Sequence, residues 1–591
     1  MGLISLLLAA GSNKPALFTR MFENPGDDRV LAHIKMFVAI FAIFALIYEA
    51  IRESDGNPVP RMWKKMTGGL FAVLGIVCYF QFFDIGYKDF YHRWEFFHYY
   101  VGSKYFNEIG YEGIYVCAAV AESELPDGDA NKGDKPKQNA KLRKLRDLRV
   151  NLITEARDYV EKPEECKEGK YGSRAFSPER WDMFKKDVSF FRRVSLGNYW
   201  NDMQKDHGYN PPPVWGLTGR LFATLVQPAS EANMKLLSCI DPLLFTAAFG
   251  FIAWAFGWRV LCVALVFWGT QDASPFYWTG GAYLRQDWLF YIILAACLMR
   301  KRWYALGGAA LAYSTLLRVF PIGFYLGFFA AAAGYAYTQY KKDPKGAFAG
   351  GLMPSWMRLT YGPIRRVALG SALGAVVLIG ASSLNSGVSS WFAFKHHIGV
   401  HAGTNLTNNM GWRTIIKHGV DGRMAIARDQ RKMDPFETWK EMRKTREEKL
   451  AVVRWGGAAL MLGMFFYACF RLKNPWIILS LGCIAVITLI ELTDYYYSFF
   501  VLGALLSKGR RPLEIGLMAA AALSEVCNIR LDMFDDRFVA MSVVFVVLGV
   551  FMVIMYMRNP FRPRAGEITQ PIEARRRARE GARSIPPPAA A

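Results

Sequence analysis

The sequence predicts an all-α polytopic membrane protein with about 11–13 transmembrane helices and two large extracytoplasmic loops. Three observations predict it. Of the 591 residues, 52% are hydrophobic and 15% are aromatic. About thirteen apolar runs approach the length of about 20 residues that a helix needs to cross a membrane. Lysine and arginine gather in the short segments between those runs. The predicted spans are 33–51, 68–84, 236–256, 258–270, 287–299, 303–317, 320–338, 367–385, 452–470, 475–491, 497–507, 512–525 and 539–557.

The basic segments set the expected orientation, because short loops rich in lysine and arginine stay in the cytoplasm. They are 61–65, 300–302, 341–345, 365–366, 508–511 and 575–579. With these segments inside, two long segments fall outside. The expected organisation is 1–84 (N-terminal segment and first two spans), 85–235 (first outer loop), 236–385 (middle spans), 386–451 (second outer loop), 452–557 (C-terminal spans) and 558–591 (basic cytoplasmic tail).

The formal net charge of +22 arises largely from those flanking segments. We therefore expect anionic membrane lipids, and no nucleic acid, as the partners of this charge. Cys117 and Cys166 share the first outer loop, and a disulfide between them is open if that side is oxidising.

The first outer loop is expected to have several parts. The stretch "WEFFHYYVGSKYF" begins a helix around 93–108, and the polar stretch 120–150 resembles a mobile insertion. Ser177 before Pro178 is a helix start. Three prolines make 210–213 a rigid extended turn. In the second outer loop, Asp434 and Pro435 begin a charged helix that we expect to lie along the membrane surface.

Seven of the eight histidines fall in the two outer loops. Either polar loops simply collect histidine, or the two loops converge on one site. In "HHIGVH", His397 and His401 are four apart, as metal ligands on a helix can be. Neither an HExxH motif nor paired carboxylates accompany them, so we expect neither a metal nor another cofactor.

Three acids, Asp84, Asp89 and Glu95, lie at or just beyond the end of the second span. Carboxylates near a membrane are costly unless they face water or a functional cavity. One of them is our candidate for a general base that takes a proton from an attacking hydroxyl.

Two arginines open or close later spans. Arg285 precedes Gln286 in "LRQDWLF", and Arg318 ends the sixth span beside Pro321. A planar guanidinium suits bidentate contact with a phosphate, whereas the alternative for Arg318 is a side chain that snorkels to the interface. Asp494, in "ELTDYYYSFF", is a fourth outer-face acid.

The order of these motifs resembles that of the GT-C integral-membrane glycosyltransferases, and most closely the polyprenyl-phosphate-mannose-dependent alpha-mannosyltransferases of the phosphatidylinositol-mannoside type. "EFFHYYVGSKYFNEIGYEGIY" is similar to an acid-aromatic stretch of that family, with Glu95 in place of an aspartate. "YNPPPVWGLTGRLF" is similar to its re-entry motif, and "LLRVFP" has Arg318 where the family has lysine. "RQDWLF", "NLTNNMG" and "TDYYYSFF" are similar to three later stretches. Because Glu95 departs from the pattern, Asp89 and Asp84 stay open as the base.

The resemblance implies transfer of a hexose such as mannose from a polyprenyl-phosphate donor to a lipid or glycan acceptor, with inversion. It implies a bacterial cytoplasmic (inner) membrane, with the active site on the extracytoplasmic side. Arg318 and Arg285 would bind the donor phosphate. The implied substrate-binding residues are His98, Tyr99, Tyr100, Lys104, His207, Tyr209, Asn210, Gln286, Asn405, Asn409, Asp494 and Tyr495.

Two other classes of function stay open. One is a transporter or lipid flippase, although no internal repeat is visible and the polar residues gather at one face. The other is a non-catalytic subunit of a membrane assembly, which would dock through the 120–200 insertion or the basic tail.

Overall fold

The computed structural model describes residues 28–83, 90–126, 135–195, 197–401 and 403–558. Each of the thirteen predicted spans coincides with helix. They are α1 Asp28–Ser54, α2 Arg61–Tyr79, α3 Glu231–Phe256, α4 Trp258–Thr270, α5 Asp287–Arg300, α6 Tyr304–Leu317, α7 Phe320–Lys342, α8 Gly362–Ser386, α9 Ala451–Phe470, α10 Pro475–Leu489, α11 494–506, α12 Arg511–Arg530 and α13 Phe534–Arg558.

Seven helices among the described residues are long and apolar enough to cross a membrane: α1, α3, α7, α8, α9, α12 and α13. The other six are shorter or less apolar. The predicted all-α membrane class is therefore confirmed at this level, whereas the count of 11–13 spans and the sidedness of the loops stay predictions. We keep the names first and second predicted outer loop for 85–235 and 386–451.

The helices pack closely where small residues meet. α2 lies against α4, α1 against α12, and α6 against α8. A side chain added at Gly75 of α2 would place its Cβ 2.7 Å from the carbonyl oxygen of Leu265 in α4. Gly269 of α4 faces Gly75 in turn. Small residues that let two backbones approach in this way are typical of helix contacts in membranes.

Short helices fill the two predicted outer loops. In the first they are Arg93–Phe96, the π-turn Phe97–Val101, Gly102–Lys104, Phe106–Ile109, Ile114–Ser123, Pro136–Leu142, Arg157–Val160, Glu164–Lys167, Pro178–Val194, Asn198–Met203 and Pro213–Leu225. In the second they are Ser389–His401, Trp412–Lys417, Met424–Ala427 and Glu437–Lys449. Gln81–Phe83, Phe276–Thr279, Pro344–Ala347 and Leu352–Leu359 lie elsewhere.

Two small antiparallel sheets complete the described fold. β1 Lys144–Asp147 pairs with β2 Leu152–Glu155, so that Lys144 faces Glu155. β3 Asn409–Met410 pairs with β4 Leu492–Thr493. The second pairing joins the second predicted outer loop to the segment that precedes α11.

Several local predictions are confirmed. Helix runs from Arg93 to Lys104, and the Ser177 side chain accepts the backbone N–H of Arg180 at 3.2 Å, as a helix cap does. The segment before Pro213 is not helical. The disulfide between Cys117 and Cys166, which the sequence left open, forms.

The expectation of a mobile insertion over 120–150 was wrong for 120–123, which end the helix Ile114–Ser123, and for 135–150, whereas 127–134 lie outside the described residues. The segment 135–150 forms the helix Pro136–Leu142 and the first strand of the β1–β2 hairpin. The buried Arg143 pairs with Glu122, whose carboxylate also binds Arg192 and the indole of Trp200. This buried charge cluster fixes a stretch whose composition alone resembles a flexible loop.

Candidate active site

Arg285 lies in the loop between α4 and α5, and the backbone fixes its position. Asp241 of α3 accepts the backbone N–H groups of Arg285 and Gln286 at 3.0 and 3.2 Å. Leu284, just before, has a φ of 49°, in the left-handed region that residues other than glycine seldom adopt. Such a strained turn persists only where its surroundings enforce it. Asp241 was not among the predicted site residues, although an acid inside an apolar run was the available signal.

The side chain of Arg285 joins three distant parts of the chain. Its Nη1 lies 3.1 Å from Glu95 Oε2, and it also donates a hydrogen bond to the Tyr99 hydroxyl. The Tyr495 ring covers the guanidinium, 4.3 Å from its carbon to the ring centre. The structure therefore brings four predicted site residues, Glu95, Tyr99, Arg285 and Tyr495, into one cluster.

Arg318 also lies near the Tyr99 ring. It is only 6% exposed, and its guanidinium carbon is 5.8 Å from the centre of the Tyr99 ring and 6.0 Å from that of Trp215. Nη1 donates to the carbonyl oxygen of Leu317, but Nε and Nη2 are buried without a hydrogen-bond partner among the described residues. Because Arg318 is enclosed by the protein, snorkelling to an interface does not describe it.

Two guanidinium groups thus lie within 6 Å of the centre of one tyrosine ring in a buried, aromatic environment. Unpartnered buried donors cost free energy, so a bound water, an ion or an anionic ligand would stabilise them. An oxyanion such as a phosphate is the partner that a guanidinium fork fits best. The arrangement can bind an anionic group and hold aromatic surface against whatever is attached to it.

Asp494 lies next to this cluster in the chain, directly before Tyr495. It is fully buried, accepts the side-chain amide of Asn408 at 2.8 Å, and keeps its second oxygen without a partner among the described residues. Asn408 was missed in favour of Asn409, which pairs with Thr493 in the β3–β4 ladder. Asn405 instead accepts a hydrogen bond from Lys417.

Other predicted residues lie in neighbouring networks. His98 contacts the Tyr115 hydroxyl at 2.7 Å, and Tyr100 donates to the carbonyl oxygen of Val226. Lys104 forms a buried ion pair with Asp187 at 2.7 Å. The side-chain nitrogen of Gln286 contacts Thr279, and its oxygen lacks a partner among the described residues. Lys104 in particular is occupied by a partner within the protein.

The two predicted outer loops meet at a group of histidines. The Nδ1 atoms of His207 and His401 lie 3.2 Å apart, so one of them must carry the proton that the other accepts. His397 Nε2 lies 2.7 Å from the Asn210 side-chain oxygen. Tyr209, between His207 and Asn210 in the chain, packs its ring against those of Tyr99 and Trp215. The two predicted outer loops therefore contact each other at these histidines, whereas their convergence on one polar site at the outer face stays a prediction.

Burial keeps these histidines neutral. Desolvation, reinforced by the neighbouring His401, lowers the pKa of His397 to about 3. Desolvation also lowers the pKa of His207 to about 3, although Asp206 opposes the shift. Within the described ranges, no group of three or more histidine, cysteine or acidic residues is arranged to hold a metal ion. The expectation that no metal takes part stays a prediction.

Two of the candidate bases, Asp84 and Asp89, lie outside the described residues. Glu95 is the candidate base that can be placed, and its side chain is 13% exposed. A cavity of about 740 Å³ occurs elsewhere, between α1, α2 and α4, and contains neither Arg285 nor Arg318. We place the site by its chemistry, because the converging charged and aromatic side chains lie at the cluster and not in that cavity.

Fold and site together define an all-α membrane protein with a buried arginine-aromatic cluster. No protein-family model, curated protein or solved structure matches the chain.

Proposed function

We propose that the protein is a membrane glycosyltransferase. It transfers a hexose, such as mannose, from a polyprenyl-phosphate donor to a lipid or glycan acceptor, with inversion at the anomeric carbon. The observation that supports this most is the buried guanidinium of Arg318, whose Nε and Nη2 lack partners among the described residues while its face lies against Tyr99 and Trp215.

Arg318 and Arg285 would hold the phosphate of the donor. The two side chains share Tyr99, so one phosphodiester between them would receive donors from both. The sugar would then lie against the rings that line the cluster. As the carbon–oxygen bond to the phosphate breaks, the charge on the departing phosphate would grow, and two fixed cations would stabilise it.

Glu95 would act as the general base. The acceptor hydroxyl oxygen forms the new bond to the anomeric carbon, its proton passes to the carboxylate, and the polyprenyl phosphate leaves. Glu95 is the ion-pair partner of Arg285. A bound phosphate would compete for that guanidinium and free the carboxylate to accept the proton. Asp84 and Asp89 stay as alternative bases.

The proposal places the site on the extracytoplasmic side of a bacterial cytoplasmic membrane and needs no cofactor. The lipid-linked donor, the acceptor and membrane lipids are its partners, and nucleic acid is not among them. The 120–200 insertion and the basic tail are candidate surfaces for a membrane-complex partner.

The test is transfer of radiolabelled sugar from polyprenyl-phosphate-mannose to lipid acceptors, at matched expression. Glu95→Gln should lower kcat by at least about a hundredfold, because positioned proton transfer contributes about 10²–10⁴. Arg318→Gln should lower kcat/KM for the donor about tenfold to a hundredfold, since hydrogen bonds to charged groups contribute about 1.5–3 kcal/mol. Glu441→Gln and Arg157→Gln are matched controls, because both side chains are exposed.

Unchanged activity in Glu95→Gln, Asp89→Asn and Asp84→Asn would remove the assigned base. Absence of transfer by the wild type with every polyprenyl-phosphate sugar and a broad acceptor set would favour the transporter or the non-catalytic subunit.

A further inference from the structure

The cavity between α1, α2 and α4 lies far from the candidate active site. It is bounded by the C-terminal half of α1, the first turns of α2, and the start of α4. α2 begins at this cavity and ends at Tyr79, shortly before the segment that carries Glu95. A helix of 19 residues is about 28 Å long, so the cavity and the cluster occupy opposite ends of α2.

The cavity has an apolar wall and an aromatic mouth. Leu46, Phe71 and Val263 contribute to the wall. Trp63 and Trp258 line it as well, yet they are 53% and 47% exposed. Exposed tryptophans beside an apolar surface are typical of the level at which lipid headgroups meet the hydrocarbon region.

A network of paired charges closes one side of the cavity and is neutral in itself. Lys64 lies 2.7 Å from Glu49 and 2.6 Å from Glu53. Arg259 lies 2.8 Å from Glu49 and 2.5 Å from Glu514. Arg511 lies 2.8 Å from Glu53. Three cations and three carboxylates therefore satisfy one another.

Three further cations line the same cavity and belong to no such pair. The side chains of Arg52, Arg61 and Lys65 have neither an ion pair nor a hydrogen bond within the described part of the chain. The cavity thus combines an apolar wall with a surplus of positive charge at its mouth. A soluble anion would leave the apolar wall exposed to water, and a neutral lipid would leave the three cations without a negative partner. Neither class of ligand therefore matches both parts of the cavity.

We propose that this cavity binds an anionic phospholipid of the surrounding membrane. Its phosphate would contact Arg52, Arg61 and Lys65, and an acyl chain would lie along the wall formed by Leu46, Phe71 and Val263. The ligand is a bulk membrane lipid and not the sugar donor, because the site lies at the far end of α2 from Arg318. The proposal does not depend on the proposed transferase function.

The test measures which lipid stays with the protein. The full chain is reconstituted into vesicles of equimolar phosphatidylcholine and phosphatidylglycerol, extracted in mild detergent and purified, and retained lipid is quantified by mass spectrometry. The wild type should retain phosphatidylglycerol in preference to phosphatidylcholine. The triple variant Arg52→Gln, Arg61→Gln, Lys65→Gln should retain at least about tenfold less phosphatidylglycerol, because each basic residue near an anionic lipid surface contributes about fivefold.

Two further variants separate this site from general attraction of charge. Lys341→Gln, Lys342→Gln, Lys345→Gln removes the same charge from an exposed segment outside the cavity and should retain lipid as the wild type does. Ala45→Trp fills the cavity without changing charge and should lower retention of phosphatidylglycerol. Equal retention by the two triple variants, or equal retention of both lipids by the wild type, would overturn the proposal.

Discussion

Mild acid should loosen the contact between the two predicted outer loops. The contact includes His397, which is 1% exposed, stacks on Tyr111 and bonds to Asn210. The other titratable or charged groups that act on the histidines are His401, His207, His396, Asp206, Arg146 and Lys440. Protonation of His397 would place a charge where none of the described carboxylates is in direct contact with it.

The size of the effect follows from the shifted pKa. Burial lowers the pKa of His397 from 6.5 to about 3, so the packed form does not bind a proton at about pH 5.5, whereas the separated form does. The stability that neutral His397 gives the packed form is fully present above the pKa of the separated form. It is lost as the pH falls from there towards the pKa of the packed form. Between about pH 7.5 and about pH 5.5, His397 alone costs the packed form about 1.4 kcal/mol, or a factor of about ten. His207 and His401, whose pKa values are lowered to about 3 and about 4 by burial, act in the same direction.

Hydrogen exchange detected by mass spectrometry can measure how far this contact loosens between about pH 7.5 and about pH 5.5. Amide protection in the helix Ser389–His401, corrected for intrinsic exchange rate, should fall at least about tenfold between the two pH values. His397→Gln should reduce that fall by about tenfold. The exposed neighbour gives the matched control, since His396→Gln should leave the fall unchanged. Equal protection at the two pH values would refute the reasoning.

Three further predictions concern stability, measured as thermal unfolding in detergent. Gly269→Ala should lower the free energy of unfolding by about 1–3 kcal/mol, because the new Cβ would meet the backbone of α2. Gly250→Ala, with open space around it, should leave this free energy unchanged. Equal effects of the two changes would show that the helices can separate. Lys104→Met should lower the free energy of unfolding by about 3–5 kcal/mol, because it leaves the Asp187 carboxylate buried and unpaired. Adding Asp187→Asn should restore part of this stability. A loss without any restoration would argue against the ion pair. Changing both disulfide cysteines to serine should lower the free energy of unfolding by about 2–4 kcal/mol, given their sequence separation of 49 residues. An unchanged unfolding temperature after mutation or reduction would contradict the bond.

The helices were predictable because their cause is local. An apolar run in a membrane must satisfy its backbone polar groups within itself, so helix follows from composition alone. The cap at Ser177 is equally local. The fold of 135–155 was not predictable in this way, because Arg143 depends on Glu122, Arg192 and Trp200, which are distant in the chain.

The candidate site was predicted as a set of residues but not as a set of contacts. Glu95, Tyr99, Arg285 and Tyr495 were all selected, yet nothing in the sequence pairs Arg285 with Glu95. Lys104 shows the reverse case. A lysine beside tyrosines resembles a ligand-binding residue until Asp187, far along the chain, is found to occupy it.

The ring of Tyr495 over Arg285 has a consequence for the order in which the protein matures. During synthesis Glu95 and Tyr99 emerge first, Arg285 follows, and Tyr495 arrives only when most of the chain has been made. Until then the Arg285 guanidinium lacks its aromatic cover, and β3 lacks the strand with which it pairs. The site therefore closes late, and a nascent chain that stops before α11 carries every earlier helix but not a complete site.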